Sequence, residues 1–210
     1  MLALTMVVAL AGVDDKLDQA EVAAIKKKVT AKVTVDRKSG LLQLAYEFRT
    51  PKQGNDFLIK EKPADVKGGL TLKPSTVATH VVPWETVQVE CRVQVSKMFG
   101  TALRATESKI GLELGGDNFN TLYLQLPQRP IHKQVIIPYS DVTGLRSLRL
   151  ELGTDTSLVA YDHWQVSEPT KLGTAGKIEF LGGNYGYAFR AVTFRGKPEA
   201  SWLKDLVAEK

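Results

Sequence analysis

With 210 residues, 43% of them hydrophobic and 24% charged, the chain has the balance of a folded globular protein and enough length for one sizeable core, which excludes wholesale disorder. The formal net charge of +5 comes from basic residues scattered among acids. A basic groove with interleaved aromatics is missing, so nucleic acid is not an expected partner. Cys91, the single cysteine, excludes an intramolecular disulfide and a thiolate metal cluster.

The N-terminus opens on an apolar run from Leu2 to Ala11, followed at once by Asp14 and Asp15. Ala9-Leu10-Ala11 fits the small-x-small pattern read by signal peptidase, so residues 1–12 read as a signal peptide and the mature protein as periplasmic or extracellular. The run is too short to span a bilayer, so no membrane span is expected in the mature chain. A basic n-region is absent, which leaves a start codon placed too late, or a buried N-terminal segment, as alternatives. Residues 13–29 read as an N-terminal helix or linker, with helical character from Asp15 to Lys28.

From residue 30 to 197 alternating segments dominate. Strands are expected at Thr30 to Asp36, Leu41 to Thr50, Leu70 to Leu72, Val77 to Val82, Glu85 to Ser96, Lys109 to Leu114 and Thr121 to Leu126. Further strands are expected at Lys133 to Pro138, Ser147 to Leu152, Ser157 to Val166, Lys177 to Leu181 and Tyr187 to Arg195. Glycine- and asparagine-rich reversals such as Gly115-Gly116-Asp117-Asn118 and Gly182-Gly183-Asn184 separate them, because these residues accept the positive φ of tight turns. No helix-length pattern interrupts the middle of the chain, which disfavours a parallel βαβ architecture. The expected fold is all-β, a two-sheet antiparallel sandwich. Residues 198–210 carry Trp202, Leu203, Leu206 and Val207 at helical spacing and read as a short closing helix.

The closing strands carry a resemblance. Leu145 to Leu152, Tyr161-Asp-His-Trp-Gln-Val166, Gly173 to Phe180 and Tyr187 to Phe194 resemble the closing half of concanavalin A-like jelly rolls. They look most like laminin G-type sandwiches and the bacterial 3-keto-disaccharide hydrolase-like domain. In those families a Gly-x-Ile-x-Phe strand precedes one of the type Phe-Arg-Asn-Val-x-Ile, as Phe189-Arg-Ala-Val-Thr-Phe194 does here. Phe189 and Val192 are three apart, so only a bulge between them turns Phe189, Val192 and Phe194 to one side. The resemblance implies a jelly roll; its relatives include lectins, glycosidases and structural modules.

Candidate site residues follow from alternation. In Val87-Gln-Val-Glu-Cys-Arg-Val-Gln-Val95 the valines and Cys91 share one face, and Glu90 and Arg92 the other. Cys91 therefore reads as a small buried hydrophobe rather than a nucleophile. If Leu122, Leu124 and Leu126 point inward, Tyr123 and Gln125 point outward, and Glu113 on a neighbouring strand can join Glu90 and Arg92. A sugar site needs an aromatic platform and planar polar groups, and these outward residues suit it. A solvated sheet face with cross-strand charge pairs is the simpler reading. Asp162 beside His163 and Trp164, and Tyr185 at a loop tip, complete the candidate set. Strict alternation, however, prevents His163 from sharing a face with both neighbours.

Metal chemistry has little support. His80, His132 and His163 lack ligand spacing, so zinc is not expected. Asp117, Asn118 and Asn120 offer oxygen ligands for calcium, although these are also ordinary turn residues. No other cofactor is expected. The Glu-x-Asp-x-x-Glu pattern of a retaining glucanase is absent. The leading expectation is an exported, non-catalytic protein that recognises carbohydrate or a cell-surface glycan. A glycoside hydrolase-like enzyme and a structural module of a surface complex are the alternatives.

Overall fold

The computed structural model describes residues 16–59, 66, 68–95, 100–115, 121–127, 133–138, 144–171 and 173–209. The leader expected over residues 1–12, the Asp117 to Asn120 turn and His132 lie outside them. Helix α1 (Gln19–Lys28) begins at a capping box, in which the Asp18 carboxylate accepts from the Glu21 amide and Glu21 accepts from the Asp18 amide. This satisfies two otherwise orphaned donors. Lys26, Lys27 and Lys28 occupy its last turn, where cations complement the helix dipole. The closing helix α2 (Ala200–Ala208) buries Leu203 and Leu206 and runs beside α1, with Lys28 ion-paired to Glu209 at 3.1 Å. No described helix is long and apolar enough to cross a membrane.

Fourteen strands are formed among the described residues. They are β1 (Lys32–Val35), β2 (Leu42–Tyr46), β3 (Phe57–Ile59), β4 (Leu70–Leu72), β5 (Val77–Val95), β6 (Gly100–Ala105) and β7 (Gly111–Gly115). The remainder are β8 (Thr121–Gln125), β9 (Lys133–Ile136), β10 (Gly144–Leu152), β11 (Thr156–Tyr161), β12 (Trp164–Pro169), β13 (Gly176–Leu181) and β14 (Tyr187–Pro198). Every pairing is antiparallel. One sheet runs β1-β2-β14-β5-β10-β11-β12, and the other β3-β5-β13-β6-β7-β8-β9, with β4 on the start of β14. Strands β11 and β12 pack across β7, β8 and β9, closing the sandwich.

Strand β5 belongs to both sheets. Its first half pairs with β3 and β13, and from Thr86 onward it pairs with β14 and β10. The sequence suggests two strands here, Val77 to Val82 and Glu85 to Ser96, with Pro83 and Trp84 between them. Instead the backbone runs on through Pro83 and changes sheets there. Proline has no amide to give a ladder, and it is accommodated where the Lys177/Glu179 register shift bends the pairing.

Two other expectations change. Ser157 to Val166 is not one strand but a hairpin, with Tyr161 opposite Trp164 and Asp162-His163 as its turn. Asp162 takes a φ of +49°, a left-handed conformation that aspartate tolerates better than most residues. Strands β3 and β6 are additional, being short and weakly alternating. The bulge expected in the last strand is present. Arg190 lies opposite Arg92 and Thr193 opposite Glu90, so Ala191 and Val192 together face Cys91. Phe189, Val192 and Phe194 are all fully buried, and Ala191 takes up the distortion at φ +50°.

The interior is apolar and aromatic. Phe194 stacks on His80, with ring centroids 4.0 Å apart, and lies 5.9 Å from Trp84. Cys91 is buried on the inner face, where burial pushes its thiol well above the ordinary thiol range and favours the neutral, packing form.

Candidate functional site

The register of the first sheet determines its outer face. Inward positions are Val87, Val89, Cys91 and Val93 on β5, Leu148, Leu150 and Leu152 on β10, and Phe189, Val192 and Phe194 on β14, all buried. The intervening residues therefore face out together. Glu90 stands between Thr193 of β14 and Arg149 of β10, Arg92 between Arg190 and Ser147, and Arg149 opposite Ala160 of β11. Along this face runs a groove of about 590 Å³, whose polar lining comprises Glu90, Arg92, Ser147, Arg149, Asp162, His163, Gln165 and Thr193. Small residues make it concave: Ala160 and Ala191 leave room where larger side chains would fill the sheet.

The β11–β12 hairpin turn forms one wall. Asp162 accepts from the Ser147 amide at 2.8 Å and from Arg146 Nη1 at 3.1 Å, and its own amide donates to the Ser147 carbonyl at 2.8 Å. Both carboxylate oxygens are thus engaged in holding the turn, which makes Asp162 a positioning residue. His163 projects beside it, its ring 4.7 Å from that of Trp164. Because the pair forms a turn rather than strand interior, the alternation that seemed to part Asp162 from His163 does not apply, and both line the groove.

Carboxylates on this face differ in environment. Glu90 accepts from Gln88 at 2.6 Å. Glu151, on the same face of β10, is only 5% exposed. Burial raises its carboxyl above the usual range; Arg149 opposes that shift and Glu90 adds to it.

The seven residues singled out by sequence do not form one site. Glu90, Arg92 and Asp162 share the groove. Glu113, Tyr123 and Gln125 are also outward-facing, but on β7 and β8 of the opposite sheet, so they lie on the other side of the sandwich. There Gln125 hydrogen-bonds Glu113, which stands opposite Tyr123 in register. Alternation assigns a residue to the inside or the outside of a sandwich without saying which of two outsides it occupies. Tyr185 is half exposed in the loop before β14 and does not line the groove. The groove instead gains Ser147, Arg149, Gln165 and Thr193, which alternation about Leu148, Val166 and Phe194 places outward but which carry no signature of their own. Among the described residues no three His, Cys, Asp or Glu side chains gather for a metal ion.

No family model matches the chain, and no curated protein matches it. Solved structures share its architecture. A Crh5 transglycosylase superposes with a TM-score of 0.55 at 9% identity, over 73% of this chain and 84% of that one. A GH43 protein from Bacillus licheniformis gives 0.52 at 10% identity, over 79% of this chain and 40% of that one. The Bacteroides ovatus protein GH43B gives 0.51 at 14% identity, over 79% and 46%. At such identities the likeness is one of fold, and the fold is an antiparallel jelly-roll β-sandwich.

Proposed function

We propose that this is an exported carbohydrate-binding protein that holds its saccharide in the groove of the first sheet without cleaving it. One observation carries the reading: the groove is open, concave and lined by polar side chains from adjacent strands, with the His163 ring at one wall. Hydroxyl groups of a sugar need such planar donors and acceptors, and its C–H face needs a flat surface. The neighbouring structures include a transglycosylase and GH43 proteins, which favours a saccharide among possible ligands. Export rests on the apolar run ahead of Asp14, and a secreted form that retains Met1 would remove that part of the reading.

The test is calorimetric titration with a panel of neutral and acidic polysaccharides. Gln165→Ala and Glu90→Ala are expected to weaken binding about tenfold each. Tyr123→Ala on the opposite face should leave it unchanged. Absence of binding across the panel, or equal loss from Tyr123→Ala, overturns the reading.

A second reading has its own observation. Glu90 and Glu151 are diagonal neighbours on adjacent strands, and their environments differ, as those of an acid and its partner do in glycosidases. The resemblance to 3-keto-disaccharide hydrolase-like domains belongs with it. Release of reducing ends from a bound polysaccharide, abolished by Glu151→Gln, would favour this enzyme over the binding protein.

A further inference from the structure

We propose that the groove selects an anionic sugar, whose carboxylate or sulfate ester is held by Arg92, Arg149 and Arg190. This rests on the saccharide reading above and names its substrate class. Arg92 and Arg149 line the groove; Arg190 of β14, exposed and next to the groove-lining Ala191, lies directly opposite Arg92 of β5, and Arg149 of β10 is one diagonal step further. Like charges placed directly opposite in a ladder destabilise it, so such a pair needs a compensating anion.

Several other arginines among the described residues have one. Arg104 meets Glu179 at 2.7 Å, Arg146 meets Asp162 at 3.1 Å and Arg195 meets Asp36 at 2.9 Å. Among the described residues no hydrogen bond or ion pair engages the guanidinium of Arg92, Arg149 or Arg190, and Arg149 has only the electrostatic influence of Glu151. Glu90, opposite Arg149 in register, accepts from Gln88 instead. Arg149 adds an independent observation: its Nε is buried and has no hydrogen-bond partner. Buried donors are nearly always satisfied, and an orphan beside an open groove points to a ligand acceptor. Guanidinium forks match the two oxygens of a carboxylate or sulfate, which a neutral hydroxyl does not.

The experiment titrates the full chain at 150 mM salt with polygalacturonate and its methyl ester, and with a sulfated galactan and its desulfated form. At least one anionic polymer is expected to bind tenfold or more tightly than its neutral counterpart, and which of the two does so separates carboxylate from sulfate. Arg92→Gln and Arg190→Gln should each weaken that binding about ten- to a hundredfold. Both should melt no lower than the parent protein, since each removes the repulsion. Arg190→Lys, which keeps the charge and loses the fork, should weaken binding less than Arg190→Gln and serves if that variant fails to fold. Lys109→Gln, in the turn between β6 and β7 of the other sheet, should change affinity less than twofold. Equal binding of charged and neutral polymers overturns the anion site and leaves the saccharide reading standing, as does an equal loss from Lys109→Gln. No binding to any of the four polymers, or to the neutral panel, overturns both.

Discussion

The Tyr46 hydroxyl donates to Asp56 Oδ2 at 2.8 Å, in the centre of an otherwise apolar core. The same carboxylate oxygen accepts from the Thr30 amide at 2.7 Å and from its hydroxyl at 2.9 Å, so Asp56 ties the chain entering β1 to the second strand. His80 Nε2 is 2.9 Å from the Tyr46 oxygen. With the tyrosine proton directed to Asp56, that oxygen is an acceptor for His80, which fixes the imidazole proton on Nε2. Burial, with the nearby Asp56 charge and the hydrogen bond to it, pushes the Tyr46 phenol well above its ordinary range. The network links β2, the turn before β3 and β5, and is structural.

Removing one member tests it. Tyr46→Phe strips an acceptor from His80 and a donor from Asp56, and should cost about 1–3 kcal/mol in urea unfolding. Asp56→Ala leaves three donors without an acceptor and should cost more.

His80 makes the protein acid-sensitive. Burial, with Lys177 nearby, holds its imidazole far below the ordinary 6.5, down to about 3. The folded state therefore binds no proton where the unfolded state does, and this contribution to stability falls as pH drops from about 6.5 towards 3. Denaturant midpoints across that range should decline, and the His80→Gln variant should show a shallower slope between pH 6.5 and 4.

The bulge offers a backbone test. Ala191 holds a left-handed φ of +50°, which L-residues adopt at a cost and glycine adopts freely. Ala191→Gly should raise stability by about 1 kcal/mol, and Ala191→Val should lower it by about 1–2 kcal/mol. Thermal melts check the pair, and because Ala191 lines the groove, the valine should also reduce saccharide binding.

Gly196 tests the close approach of β14 to β5. A Cβ there would lie 2.1 Å from the Thr86 carbonyl oxygen and 2.8 Å from the Val87 Cα. Backbone cannot yield as a flexible side chain does, so Gly196→Ala should cost about 3 kcal/mol, measured by the shift in urea midpoint.

Local pattern carried far in this chain. Alternation about Cys91 places Glu90 and Arg92 outward, and the uneven spacing of Phe189, Val192 and Phe194 calls for the bulge that forms. Both short helices form, α2 where the spacing of Trp202, Leu203, Leu206 and Val207 indicates. The limits are equally specific. The gap expected between Val82 and Glu85 is instead where β5 passes from one sheet to the other, and Asp162 reads as strand interior but forms a turn through its left-handed backbone. Both outcomes depend on pairing partners far along the chain.

Alternation along each strand is enough to tell which residues face in and which face out, because a strand's side chains alternate whatever it pairs with. Which outward residues meet depends on the assembled sheets. Glu90, Arg92 and Asp162 converge, while Glu113, Tyr123 and Gln125 are carried to the opposite side. Sheet membership is set by long-range ladders, and the two outer faces of a sandwich carry the same local pattern.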